Sequence, residues 1–189
     1  MTEKKRCEWC LSSEIYISYH DSVWGVQIFD DRLLFEYICL EGAQAGLNWL
    51  TILKKQENYR KVFSNFDSKK IAKFNEQMIE EILGNPDVIR NRLKIKSVIN
   101  NAKIMENNFS RKNSFSDFIW SHVNFKPVKH SFTKLDQLPT NDDIALILSQ
   151  NLKKMGFSFV GPTICYAFMQ AVGLVNDHLT DCFRYREVS

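Results

Sequence analysis

The chain has 189 residues, 44% of them hydrophobic and 25% charged, with a formal net charge of +3 and a pI near 8.5. That length suits one compact domain, and the mild basicity permits a nucleic-acid partner without demanding one. No run of 18 or more apolar residues argues for a membrane span, and seven Gly, four Pro and few alternating β-branched stretches favour an all-α fold.

In chain order, residues 1–19 read as irregular, and "MTEKKRCEWC" is charged with no apolar signal-type region. Five cysteines, an odd number, then point to thiols in a reducing cytoplasm rather than to a disulfide framework. A helix is expected over about 30–43, starting near Asp30 or Asp31, because Leu33, Leu34, Tyr37, Ile38 and Leu40 recur at spacings of three and four. A second, amphipathic helix is expected over 48–63, with Leu50, Leu53, Tyr59 and Phe63 inward and Lys54, Lys55, Arg60 and Lys61 outward. Asp67 and Asn75 read as caps of two short helices, the second stopped by Gly84. Residues 85–109 carry a helical period, 114–123 a short helix, and 124–139 read as one long polar connector. Two final helices, "TNDDIALILSQNLKKM" and "GPTICYAFMQAVG", are joined by "GFSFVG", with a short tail over 174–189.

Three groups of residues can carry chemistry. The first is "YICLEGAQAGLNWL", a mostly apolar or small segment with one charge, Glu41, at the buried end of the first long helix. A carboxylate there costs roughly several kcal/mol unless a donor or a cation meets it. Trp9, Tyr16, Tyr19, Trp24 and Trp49 supply stacking faces and hydroxyls, a set that suits a planar and especially a cationic base. The second group is Cys7 and His20 near the start, and His178 and Cys182 near the end, a Cys2His2 set able to close a structural metal site. Spacing alone leaves two alternatives open: Cys10 as a ligand through "CEWC", or four unrelated residues. The third is the turn between the last two helices. Gly161 and Pro162 open a helix whose first amides can hold a phosphate, and Lys153 and Lys154 precede the turn. An ordinary packing corner reads the same way.

"YHDSVWGV", "LEGAQAGLNWLTILKKQENYR", "RNRLKI" and "FVGPTICYAFMQAVGLVNDH", together with the Cys7/His20/His178/Cys182 set, resemble the bacterial 3-methyladenine DNA glycosylase I family, collinearly over nearly the whole chain. The resemblance implies an all-α helix-hairpin-helix glycosylase fold, one domain over 1–189 with the hairpin region at about 142–173. It implies one structural zinc on Cys7, His20, His178 and Cys182, with Cys10 a bystander. It places the base pocket on Tyr19, Glu41 and Trp49, with Trp9 and Trp24 as further walls and Glu41 as the catalytic group. DNA contacts fall on Lys153, Lys154, Gly161 and Thr163. The implied activity is base excision repair: hydrolysis of the glycosidic bond of 3-methyladenine in alkylated double-stranded DNA, with free base as product, no strand cleavage, and a cytoplasmic monomer at work. Asn176 stands where many members of the superfamily carry a catalytic Asp, with Asp177 beside it. Thr163 stands where bifunctional members carry a Schiff-base Lys, and Phe159 replaces the usual first Gly of the hairpin. The alternative of another class is a zinc-stabilised nucleic-acid-binding module without catalysis.

Overall fold

A computed structural model describes residues 4–188. Residues 1–3 of the start expected to be irregular lie outside the described residues, residues 4–7 are irregular, and from Glu8 onward the expectation is not met. A 3-10 turn at Glu8–Ser12 leads into α1 (Glu14–Ser22), capped by Ser13, whose side chain accepts from the Tyr16 amide. The signal was present as a Ser cap followed by an acidic first turn. It was hidden because the helix carries no clear apolar stripe.

The central helix α2 (Asp31–Gln44) begins on the Asp30 cap as read, and every residue from Leu34 to Ala43 is buried. The single helix expected over 48–63 is two, α3 (Trp49–Leu53) and α4 (Gln56–Val62), broken at Lys54 and Lys55. The break accompanies a polar contact: Gln56 and Arg60 both donate to the fully buried Glu36 carboxylate at 2.8 Å. Arg60 therefore does not face out. The inward positions are Ile52, Tyr59 and Phe63, while Leu50 and Leu53 are only half-buried.

α5 (Ser68–Ile71) and α6 (Glu76–Gly84) start on the Asp67 and Asn75 caps as expected. α7 (Arg92–Asn108) begins later than its period suggested, because Asn91 turns its side chain onto the Lys94 amide and caps it there. α8 (Phe115–Ser121) follows the Ser114 cap. The polar connector is not unstructured. Its β1 (Val128–Lys129) pairs in parallel with β2 (Val175–Asn176), Val128 opposite Val175, and it holds a 3-10 turn at Leu135–Gln137. α9 (Asp143–Lys154) and α10 (Pro162–Ala171) form the helical hairpin, and α11 (Arg184–Glu187) ends the described chain. Among the described residues no helix is long and apolar enough to cross a membrane.

The hairpin turns with Phe159 at the position where the resemblance expects a Gly. Phe159 itself takes the left-handed conformation at φ 57°, a strain that persists only where the surroundings over-determine it. Here they do. The Asn101 carboxamide accepts from the Ser158 amide at 2.8 Å and donates to its carbonyl at 3.1 Å. Asn100 donates to the Gly156 carbonyl at 2.9 Å, and Ser149 to the Val160 carbonyl at 2.6 Å. α10 and the hairpin loop pack on α2 at Gly42, where an added Cβ would stand 3.1 Å from the Phe159 Cβ and 3.3 Å from its carbonyl oxygen.

Helix propensity alone favours Gly42→Ala by about 1 kcal/mol. The clamped loop cannot retreat, so overpacking of about 1–3 kcal/mol wins, and the urea midpoint should fall with an unchanged slope. A raised midpoint would show that the hairpin yields.

Candidate active site

The cavity beside Glu41 has a volume of about 250 Å³, below the roughly 300–1,000 Å³ usual for drug-sized ligands and of a scale for one small planar molecule. The five pocket residues read from the sequence, Trp9, Tyr19, Trp24, Glu41 and Trp49, all line it. They come from four places: the first 3-10 turn, α1 with the bend that follows it, α2, and the start of α3. Tyr16 lines it as well, although its hydroxyl is engaged as acceptor for the Leu50 amide at 2.9 Å. Trp9 and Trp24 meet edge to face at 5.0 Å, and Tyr19 and Trp49 lie 5.7 Å apart. Gln44, Leu138, Ala167 and Gln170 complete the lining. Sequence reading missed these four. Gln44 stands one turn beyond Glu41 and so was within reach of the helical period. Leu138 and the α10 residues join the cavity only through tertiary packing.

Glu41 is 4% exposed, and among the described residues no hydrogen bond or ion pair reaches its carboxyl group. Burial alone pushes that group from its ordinary 4.5 up to about 8. Burial, and then the neighbouring Glu41, raises the Tyr19 hydroxyl well above its ordinary value, so it remains a donor. The Trp49 indole N–H is buried and has no partner. The cavity thus holds one carboxyl group, with the Tyr19 hydroxyl and the Trp49 indole N–H as donors beside it, among aromatic faces.

This burial has a cost with a definite sign. Between pH 4.5 and about 8 the folded chain keeps a proton that the unfolded chain has lost. Stability therefore falls as pH rises through that window, by about 1.4 kcal/mol per unit at its steepest. Glu41→Gln removes the effect. Its melting temperature should exceed that of the native protein by a margin that widens from pH 5 to pH 8. A constant margin would mean that Glu41 is compensated.

The Cys2His2 set converges. Cys7 and His178 reach to 3.8 Å (Sγ to Nδ1), Cys182 and His20 to 3.4 Å (Sγ to Nε2), and Cys182 and His178 to 3.6 Å. All four ligand atoms lie within 4.8 Å of one another, and all four residues are buried. A tetrahedral site with metal–sulfur and metal–nitrogen bonds of about 2.3 and 2.0 Å has edges of about 3.3–3.8 Å, so the donor set fits a metal ion. The outer contacts fit too. His178 Nε2 faces the Trp24 carbonyl at 3.1 Å, and His20 Nδ1 faces Asp21 at 2.8 Å. Such partners fix the ring nitrogens that ligate. Against its burial, Arg6 and His20 hold the Asp21 carboxyl below its ordinary range. Hydrogen bonding from Cys7, outweighing burial and aided by His178 and His20, holds the Cys182 thiol well below its ordinary value, toward the thiolate that ligates metals, while the same hydrogen bond and burial push the Cys7 thiol up. Cys10 stands apart, its thiol donating to the Cys7 carbonyl at 3.1 Å.

The cluster backs directly onto the cavity. The Trp24 ring packs 4.6 Å from the His178 ring, and the Trp9 ring 5.6 Å from the His20 ring. α1 carries Tyr16 and Tyr19 toward the cavity and His20 toward the cluster. A ligand at a thousandfold its Kd stabilises a fold by about 4 kcal/mol. Cys182→Ser should therefore lose both metal and stability of that order, whereas Cys10→Ser should keep both. Metal analysis with thermal melts distinguishes the two, and metal loss from Cys10→Ser alone would overturn the ligand set.

The hairpin residues lie on the adjoining helix. Lys153 and Lys154 are exposed in the last turn of α9, Gly161 caps α10, and Thr163 is exposed in its first turn. The later turns of the same α10 supply Ala167 and Gln170 to the cavity wall.

Comparison with known proteins agrees with this geometry. The chain is 50% identical over 177 residues to a DNA-3-methyladenine glycosylase of Haemophilus influenzae, covering 94% of this chain and 96% of that protein. A crystal structure of 3-methyladenine DNA glycosylase I superposes with a TM-score of 0.91 at 50% identity, covering 95% of this chain and 98% of the other. A tyrosine-to-phenylalanine variant of such an enzyme, in complex with 3-methyladenine, superposes with a TM-score of 0.90 at 37% identity, covering 94% and 96%. The methyladenine glycosylase family model matches residues 9–185, and the chain belongs to that family.

Proposed function

We propose that this protein is a base excision repair enzyme that hydrolyses the glycosidic bond of 3-methyladenine in alkylated DNA, releasing the free base and leaving an abasic site. The observation that carries the reading is Glu41: a buried, unpartnered carboxyl group in an aromatic cavity of single-base size. Methylation at N3 makes adenine in DNA cationic. A cation entering the cavity favours the charged form of Glu41, which releases to water the proton it holds near neutral pH and becomes the ionic partner of the base, so the charged base is favoured over neutral adenine.

A base in duplex DNA reaches such a cavity only when flipped out of the stack. Trp49, Trp9 and Trp24 then offer faces for stacking, and Tyr19 offers its hydroxyl. The bond between C1′ and the base nitrogen breaks heterolytically, and its electron pair passes to the ring, which leaves neutral. The sugar becomes oxocarbenium-like, and the Glu41 carboxylate stabilises positive charge across the site. Water adds at C1′ and loses its proton. Thr163 offers no amine for a Schiff base, in keeping with hydrolysis without strand cleavage. The amides following Gly161, with Lys153 and Lys154, are suited to gripping phosphates beside the lesion.

The metal is assigned as zinc because two thiolates and two imidazoles in a closed tetrahedron are its usual structural ligand set. Four protein ligands leave no position for a reacting water, so its part is to hold α1 and the aromatic walls together.

A charge-assisted hydrogen bond is worth about 1.5–3 kcal/mol, and each ~1.4 kcal/mol is a factor of ten in rate. Glu41→Gln should therefore slow single-turnover release of 3-methyladenine from methylated DNA by about ten- to a hundredfold, without creating activity on adenine. A native rate in that variant would remove the carboxylate from the mechanism.

A further inference from the structure

Gln170 lies in α10 and lines the cavity, yet its side chain is not free to turn. Its Nε2 donates to Asp177 Oδ2 at 2.8 Å, and its backbone carbonyl accepts from the Gly25 amide at 3.0 Å. Asp177 has a wholly buried side chain and is itself fixed. Its Oδ2 also accepts from the Tyr166 hydroxyl at 2.7 Å, and its Oδ1 lies 2.6 Å from His130 Nδ1. A carboxylate only accepts, so the nitrogen of the Gln170 amide must face Asp177. The amide oxygen is then the polar atom left over, and among the described residues nothing hydrogen-bonds to it. An amide whose polarity is set by a buried acid is a reading head of one sign.

We propose that Gln170 is a specificity-determining residue whose Oε1 accepts from the exocyclic amine of an alkylated adenine, and that Asp177 is the positioning residue that keeps that oxygen turned to the cavity. This rests on the assignment of the cavity to a methylated base. Adenine presents an amine at C6, a donor, where guanine presents an oxygen, an acceptor. A fixed acceptor rewards the first and meets the second with two lone pairs and no hydrogen between them. A site built to hydrogen-bond one group discriminates strongly against the analogue that leaves it unpaired.

The test is the ratio of 3-methyladenine to 3-methylguanine released under single-turnover conditions from DNA treated with a methylating agent. Gln170→Met keeps the side-chain length and removes the acceptor. It should slow 3-methyladenine release about tenfold, the worth of one hydrogen bond, leave 3-methylguanine release unchanged or faster, and so shift the ratio by tenfold or more. Asp177→Asn can donate to Gln170 and turn its amide over, and should shift the ratio in the same direction with metal content retained. Equal slowing of both lesions in Gln170→Met would mean packing alone, and unchanged rates would mean no contact; either overturns the proposal. Should Asp177→Asn lose its metal or fail to fold, Gln170→Met decides alone. A native protein that releases no 3-methyladenine would instead refute the function, whereas an active native protein with an unmoved ratio in Gln170→Met refutes only the role of Gln170.

Discussion

One uncompensated carboxyl group organises this molecule. Glu36 and Glu41 sit on the same buried helix, little more than a turn apart, and the protein treats them in opposite ways. Glu36 is met at Oε1 by Gln56 and by the Arg60 guanidinium, charge-assisted hydrogen bonds that offset its burial, although its Oε2 has no partner. Glu41 is met by nothing from the protein, and burial alone drives its pKa to about 8. A structural acid would have been given a partner. On the proposed function, an acid left without one at the wall of a cavity takes its partner from outside, and a cationic base is such a partner.

The rest of the fold serves to keep that arrangement from relaxing. A lone buried carboxyl group would gain by drawing water or a lysine toward it, so its helix must not shift. Lys94 is buried yet does not reach Glu41. It donates instead to the carbonyls of Ala43 and Ala45 at 2.8 and 2.6 Å, fixing the end of α2 where the chain turns toward Trp49. Gly42 presses the same helix against the hairpin, which two adjacent asparagines on α7 hold from the far side. The Cys2His2 cluster closes the third side, tying α1 and the Trp9 turn to the C-terminal segment through the rings that back the cavity. One helix, α10, carries both the hairpin turn proposed to meet DNA phosphates and, in its later turns, Ala167 and Gln170 of the cavity wall.

Much of this was legible in the sequence, for identifiable reasons. Glu41 stood out because a single charge in an apolar helical run violates the pattern, and such violations gather at functional sites. Asp30, Asp67 and Asn75 marked helix starts because capping is local chemistry. The metal set could not be told from chance by spacing, since its two halves lie at opposite ends of the chain; family resemblance named it, and the geometry brings the four residues together. What stayed hidden was non-local. The break between α3 and α4 accompanies contacts with Glu36 on another helix, and β1 exists only because residues 175–176 lie beside it. The Asp177 network around Gln170 joins the end of the connector to α10 and the tail, which no periodicity reports.

The central claim is that Glu41 is a desolvated, unpaired acid in the free protein, and it can be read directly. Carbon-13 NMR of protein labelled at the glutamate side-chain carboxyls, with the Glu41 signal assigned by its loss in Glu41→Gln, gives the titration of that group alone. The account expects a midpoint near 8, more than three units above its ordinary value. A midpoint near 4.5 would contradict it, because Glu41 would then already have its partner in water or protein, and charge selection by an unpaired carboxylate would have no physical basis.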